Sequence, residues 1–234
     1  MKIIVFDTET AGCKTQTLAN VGYKVVDLDL TNLTYKTLVS RDYLVRSVYK
    51  NKIWLINDMF VGTDKLAKFD NNVEKGGAIL RTIPQIFKTL ENDLRKYEVE
   101  AGYAYNCDFD TDKFERTAVE YGLPNPLETI PIFDLWGYAY WNICVTDAYR
   151  QFCADNNLVT KSGRFIPTSV EGVTKFLNQD VEFIEDHTAL SDVNWELRIL
   201  IECISRGQNP FELVRRGKWI PTDPLAPIDD TFEE

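Results

Sequence analysis

The chain has 234 residues, of which 44% are hydrophobic, and a formal net charge of −10. That length and apolar content suffice for one sizeable core, which predicts a single α/β domain with extensions. The acidic balance excludes a sequence-independent nucleic-acid coat that works by neutralising phosphates, but it does not exclude a nuclease. No basic N-terminal stretch precedes a long apolar segment, and no run approaches about 18 uninterrupted apolar residues, so neither secretion nor membrane insertion is expected and a cytoplasmic protein is. The cysteines, Cys13, Cys107, Cys144, Cys153 and Cys203, are odd in number, widely spaced and without a C-x-x-C pair. They read as free thiols of a reducing compartment, not as zinc ligands or a disulfide framework.

Ile3, Ile4, Val5 and Phe6 form a β-branched and aromatic run that predicts a strand buried on both faces near the middle of a sheet. Asp7 and Glu9 follow it. Alternate residues of an extended segment share a face, so the two carboxylates stand side by side. At an effective dielectric of about 20 and a separation of about 4 Å their repulsion costs roughly 4 kcal/mol, which a cation would remove. Taken alone, a solvated strand exit explains the same tripeptide.

Residues 21–28 and 34–45, separated by turn residues, predict strands two and three of an antiparallel meander. Residues 47–60 read as helical and 61–77 as a polar, Gly-containing loop. Ile83, Ile86, Phe87, Leu90, Leu94 and Tyr97 then recur at helical spacing behind Pro84, which predicts an amphipathic helix packed on the sheet. Residues 99–105 form the next expected strand, ending in Tyr-Asn-Cys-Asp-Phe-Asp, before a helix that reaches Tyr121 and closes at Gly122. Residues 130–133 are a short fifth strand and 135–156 a helix-rich stretch. Phe133, Trp136, Tyr140 and Cys144 follow 3 and 4 spacing there, which favours a core-facing stripe over a base-stacking surface. Three strands followed by alternating helix and strand predict a mixed sheet with helices on both faces.

Thr168-Ser-Val-Glu171 has the form of a capping box, with Val170, Val173 and Leu177 continuing one helix face. His187-Thr-Ala-Leu-Ser-Asp192 leads into a last long helix marked by Val193, Leu197, Leu200, Ile201 and Ile204, which Gly207 and Pro210 end. Asp7, Glu9, Asp110 and Asp192 thus offer carboxylates from three separate segments. Hard divalent cations take such oxygen ligands, Mg²⁺ usually a few carboxylates with water and substrate phosphate. His187 is the only histidine, and an imidazole, with an ordinary pKa of about 6.5, suits a general base at neutral pH. Singly, Asp192 reads as a helix N-terminal carboxylate and His187 as a capping or surface imidazole; their joint spacing favours a site.

These residues resemble the DEDDh family of 3′-to-5′ exonucleases, which includes proofreading exonuclease subunits, RNase T and oligoribonuclease. A strand ending in D-x-E matches Phe6-Asp7-Thr8-Glu9-Thr10, an Asn followed four residues later by Asp matches Asn106 to Asp110, with Asp108 a decoy, and H-x-A-x-x-D matches His187 to Asp192. The motifs stand in the family's order and the likeness spans about residues 1–205. Ala11 replaces a usual Thr, and Asn20 stands where relatives often carry Glu or Gln.

The resemblance implies an RNase H-like fold, a five-stranded mixed sheet flanked by helices on both faces. It also implies hydrolysis of phosphodiester bonds from the 3′ end of single-stranded DNA or RNA, releasing nucleoside 5′-monophosphates with two Mg²⁺ or Mn²⁺ ions about 4 Å apart. By the same resemblance Asp7 bridges the ions, Glu9 and Asp192 complete the water-activating site, Asp110 acts on the second ion and His187 takes the proton from water. Substrate contacts fall to Thr8, Thr10, Asn106 and Phe109. A polymerase or other replication partner is compatible with that activity, as are RNA turnover and service to a mobile element. A nucleic-acid-binding or partner-recruiting module without turnover is the alternative.

The exonuclease domain is expected over residues 1–206, with an insertion at about 46–80 that has no clear family counterpart. Residues 207–234 form a C-terminal extension. Within it, Val214 to Trp219 reads as a solvated turn or as a basic track for a strand backbone. The acidic tail from Pro221 is expected to be disordered.

Overall fold

A computed structural model of the chain describes residues 1–11, 17–51, 65–160 and 165–215. Strand β1 (Lys2–Ala11) lies in the middle, and Ile3, Ile4, Val5 and Phe6 are at most 1% exposed. Alternation sends Ile4 and Phe6 into the core on one face of the sheet and Ile3 and Val5 into the core on the other. The neighbours of β1 are β2 (Thr17–Asp29), antiparallel, and β5 (Ala101–Ala104), parallel. With β3 (Thr34–Val45), β4 (Ile79–Arg81) and β6 (Ile132–Asp134), the order across the sheet is β4-β3-β2-β1-β5-β6. The expected meander is therefore present as β1, β2 and β3, with β4 parallel to β3 and β6 parallel to β5.

The sheet has six strands, one more than expected. The addition, β4, pairs Tyr43 with Ile79 and Leu44 with Leu80 at the edge, and three residues are too few to display alternation. It belongs to the stretch 46–80, which also carries α1 (Arg46–Asn51) and α2 (Lys65–Glu74). The polar segment expected to be a loop over 61–77 is thus helical over 65–74. Its apolar stripe is narrow: Phe69 is buried, and only Leu66 and Val73 flank it against the core. Residues 52–64 lie outside the described residues, so the helix expected over 47–60 is described only as far as 51.

Helices α3 (Ile83–Tyr97) and α4 (Cys107–Tyr121) cover the face that receives Ile4 and Phe6. Helix α3 buries Ile83, Ile86, Phe87, Leu90 and Leu94, the spacing that predicted it, and α4 closes on left-handed Gly122 (φ +62°). The opposite face is covered by α5 (Leu135–Ala139), α6 (Asp147–Asp155), α7 (Val170–Asn178) and α8 (Ala189–Ser205). A single wide turn, Tyr140–Cys144, prolongs α5. Of the expected core stripe, Phe133, Tyr140 and Cys144 are at most 5% exposed, whereas Trp136 is only half-buried; Tyr138 and Tyr149 are buried beside them and Trp141 is exposed. Helix α7 starts one residue later than the capping-box spacing suggested. Ser169 accepts the Gly172 N–H, because the Thr168 hydroxyl is taken up by Trp136 Nε1 at 3.0 Å.

Cys144, Cys153 and Cys203 are buried free thiols and Cys107 is buried; Cys13 lies outside the described residues. Residues beyond α8 run back along α5: the Tyr138 hydroxyl donates to the Pro210 and Glu212 carbonyls at 3.1 and 2.7 Å, and Trp141 Nε1 donates to the Arg215 carbonyl at 2.9 Å. Most of the basic segment and all of the acidic tail lie outside the described residues. Among the described residues no helix is long and apolar enough to cross a membrane.

Candidate active site

The alternation that divides the core also sorts the end of β1. Asp7 and Glu9 continue the row of Ile3 and Val5 and so face α8, whereas Thr8 continues the row of Ile4 and Phe6 and faces α4. In register, Asp7 lies opposite Gly22 of β2 and Glu9 opposite Asn20, and the ladder slips just after Glu9. Gly22 lets the start of α8 rest directly on the sheet: a Cβ there would lie 2.3 Å from the backbone of Ala189 and Leu190. Asn20 makes the attachment specific. Its Oδ1 accepts the Ala189 N–H at 2.9 Å while its Nδ2 donates to Asp42 Oδ1 at 2.6 Å and to the Tyr43 carbonyl at 3.0 Å. Asn20 thus ties α8 to β2 and β3. Asp192, in the first turn of α8, comes to rest with a carboxylate oxygen within 4.8 Å of those of Asp7 and Glu9.

Asp110 arrives from the opposite face. The chain leaves β5 through Asn106, which is left-handed (φ 64°), and Asp134 at the end of β6 holds that bend, its Oδ1 accepting from the N–H groups of Asn106 at 3.0 Å and Cys107 at 3.4 Å. The first turn of α4 then presents Asp110 to β1. Its Oδ1 accepts both the Thr8 N–H at 2.9 Å and the Thr8 hydroxyl at 2.6 Å. Asp110 is 2% exposed, and Asp108 is exposed, as a decoy should be.

A further carboxylate that the sequence reading passed over stands one helical turn beyond Asp192. Glu196 is 2% exposed, and its Oε1 accepts the Tyr105 N–H at 3.3 Å. Burial, and then the carboxylates of Asp110, Glu196, Glu9 and Asp192, hold Asp7 well above the usual carboxylate range. Burial pushes Asp110 up to about 7 against the opposing Thr8 hydrogen bonds, and burial followed by Asp110 and Asp192 raises Glu196. Asp7 Oδ2 and Glu196 Oε2 are buried and, among the described residues, without a hydrogen-bond partner. A buried cluster of oxygen donors that repel one another, with an acceptor left over, fits a hard divalent cation.

These groups line a cleft of about 590 Å³. Asp7, Thr8, Glu9, Asn106, Phe109, Asp110, His187 and Asp192, all singled out in the sequence, share it. Thr10 does not line it: it continues the inward row of Thr8 and is 4% exposed. Tyr105 and Trp136, stacked with ring centres 6.1 Å apart, form an aromatic wall, although the spacing of Trp136 placed it in a core stripe. His187 is left-handed (φ 52°) on the rim, with its side chain 57% exposed and Nδ1 3.8 Å from Glu185 Oε2. Glu171 completes that group, ligand atoms of the three residues lying within 4.8 Å of one another. No protein-family model matches the chain, and no curated protein matches it.

Proposed function

We propose that the chain is a metal-dependent 3′-to-5′ exonuclease acting on single-stranded DNA or RNA. The observation that carries this reading is the convergence of Asp7, Glu9 and Asp192 within 4.8 Å around the buried, unpartnered Asp7 Oδ2, with Asp110 beside them. An antiparallel β1-β2-β3 meander followed by parallel β5 and β6 supports an RNase H-like core to which β4 adds an edge.

Asp7, Glu9 and Asp192 would hold one Mg²⁺ or Mn²⁺ ion, and Asp110 with Asp7 a second. When bound, the ions supply positive charge to the phosphoryl oxygens and make a nearby water more acidic. Water oxygen bonds to phosphorus as the bond from phosphorus to the 3′ oxygen of the preceding nucleotide breaks. The water proton passes to His187, and solvent protonates the departing 3′ oxygen, so that one water splits the diester into a nucleoside 5′-monophosphate and a shortened strand. Backbone groups near Thr8 and Glu9 would hold the terminal sugar, and Phe109, Tyr105 and Trp136 would offer apolar surface to the bases.

The test is release of mononucleotides from matched single-stranded DNA, single-stranded RNA and recessed duplex, each with a 3′ label, in Mg²⁺ or Mn²⁺ and again in EDTA. Processive shortening abolished by EDTA is expected. Binding of the strands without release of mononucleotides would replace this reading by that of a binding module.

A further inference from the structure

We infer that Glu185 is the positioning residue for His187, accepting the imidazole Nδ1–H so that Nε2 is the nitrogen left to take the proton. The inference rests on the exonuclease reading for what the proton does, but the pairing is argued from the rim alone.

Nδ1 of His187 lies 3.8 Å from Glu185 Oε2, and the Glu185 side chain is only 11% exposed although it belongs to a loop. That loop is anchored on both sides. The Glu185 N–H donates to Glu171 Oε2 at 3.3 Å, and Glu171, in the first turn of α7, is itself held by Lys175, its Oε1 lying 2.9 Å from Nζ. On the far side, the Ala189 N–H is fixed by Asn20. Between these anchors His187 adopts a left-handed backbone, which a non-glycine residue keeps only where its surroundings determine it.

The choice between the two glutamates follows from the 3.8 Å that separates Glu185 Oε2 from Nδ1 and from the bonds that engage both Glu171 oxygens. Glu171 spends one oxygen on Lys175 and the other on the Glu185 N–H, whereas Glu185 presents Oε2 to the ring. A contact of 3.8 Å is longer than a hydrogen bond, and such bonds often tighten only when substrate is seated. A carboxylate at Nδ1 selects the tautomer with its free lone pair on Nε2 and favours the imidazolium formed when the proton arrives. Among the described residues, the charged groups around the ring are Glu185 and Asp186 of its own loop, Glu171 and Lys175 of α7, Lys68 of α2 through its ion pair with Asp186, and Asp7, Glu9, Asp110, Asp192 and Glu196 across the cleft.

Because His187 is the only histidine, its imidazole C–H resonance in the untagged chain is a single assignable signal, which gives a readout independent of turnover. The experiment titrates that resonance in wild type, Glu185→Gln and Glu185→Asp, in saturating Mg²⁺, alongside the pH profile of oligonucleotide cleavage. In Glu185→Gln the midpoint should move to lower pH by about half to one pH unit. The acid limb of cleavage should move with it, turnover at pH 8 should fall about tenfold, and Mn²⁺ binding should be unchanged. Glu185→Asp, which keeps the charge, should restore part of the midpoint. An unchanged midpoint in a folded, cleaving Glu185→Gln variant overturns the pairing and leaves the exonuclease reading standing. A shifted midpoint in a chain that cleaves no substrate keeps the pairing and discards that reading.

Discussion

On the floor of the cleft Asp110 and Glu196 are 2% exposed and each accepts a backbone N–H, from Thr8 and Tyr105 respectively. On the rim His187 is 57% exposed, on a loop held by Glu171 at one end and Asn20 at the other. The floor brings carboxylates together and out of water, which disfavours their charged forms, so either a retained proton or a bound cation would lower its cost. The rim places a titrating group where substrate and solvent reach it. On the proposed reading two parts of one cleft would separate two tasks, holding metal and moving a proton, and mutation should separate them too.

The largest effect should come from the floor. Asp7→Asn removes a charge from the centre of the cluster, and with it several kcal/mol of stabilisation at the phosphoryl group, or a fall in turnover of at least about 10³-fold. The Mn²⁺-induced rise in melting temperature should vanish with it, while the metal-free variant melts above wild type because one repelling charge is gone. Calorimetry that finds ordinary Mn²⁺ affinity in this variant would sink the assignment. On the rim, His187→Ala should cost about 10²- to 10⁴-fold in turnover, the usual worth of a general base, with Mn²⁺ affinity retained. Loss of metal binding here would mean that rim and floor are one unit.

A smaller effect is expected from Gly22→Ala, which touches neither part directly. The added methyl meets the Ala189 and Leu190 backbone at 2.3 Å, so α8 must shift. Overpacking of this kind costs about 1 to 3 kcal/mol, and here it should also draw Asp192 away from Asp7. Denaturant melts should register the first consequence and a weakened Mn²⁺ titration the second. A variant as stable and as metal-responsive as wild type would refute the close packing of α8 on β2.

Much of this arrangement was legible because it is local. The run Ile3 to Phe6 and the alternation beyond it placed Asp7 and Glu9, and the spacing of Ile83 to Leu94 placed α3. What escaped is tertiary. Asn20 stood out in the sequence only as a departure from a family pattern, and its worth lies in a hydrogen bond across 169 positions to Ala189. Asp134 drew no reading from the sequence; its Oδ1 accepts the Trp136 N–H at 3.1 Å, and the same oxygen also holds the bend at Asn106. Glu196 did leave a trace: it falls three residues after Val193 and four before Leu200, on the buried stripe of α8, where a charge needs a partner. Trp136 followed the apolar spacing of a core residue, and only the position of Tyr105 turns its ring into a cleft wall.

The smallest of these effects concerns pH and isolates the floor from the rim. An ordinary aspartate titrates near 3.9, whereas burial lifts Asp110 to about 7 in the folded chain, and Asp7 and Glu196 move in the same direction. Between those limits the folded state keeps a proton that the unfolded chain has released, so in EDTA stability is fullest below about pH 4 and declines as pH rises towards 7. The slope should be of order 1 kcal/mol per pH unit, most of the ~1.4 kcal/mol that one retained proton contributes. Saturating Mn²⁺ matches the ionised carboxylates and should remove the decline, so that the stabilisation by metal grows with pH. Melts at pH 5 and pH 8, with EDTA and with Mn²⁺, measure both limbs. Asp110→Asn should flatten the EDTA slope, whereas His187→Ala, which changes only the rim, should leave the metal-dependent part of it in place. A wild-type chain whose melting temperature in EDTA rises from pH 5 to pH 8 would carry its carboxylates already compensated, and the case for a cation on this floor would fall with that result.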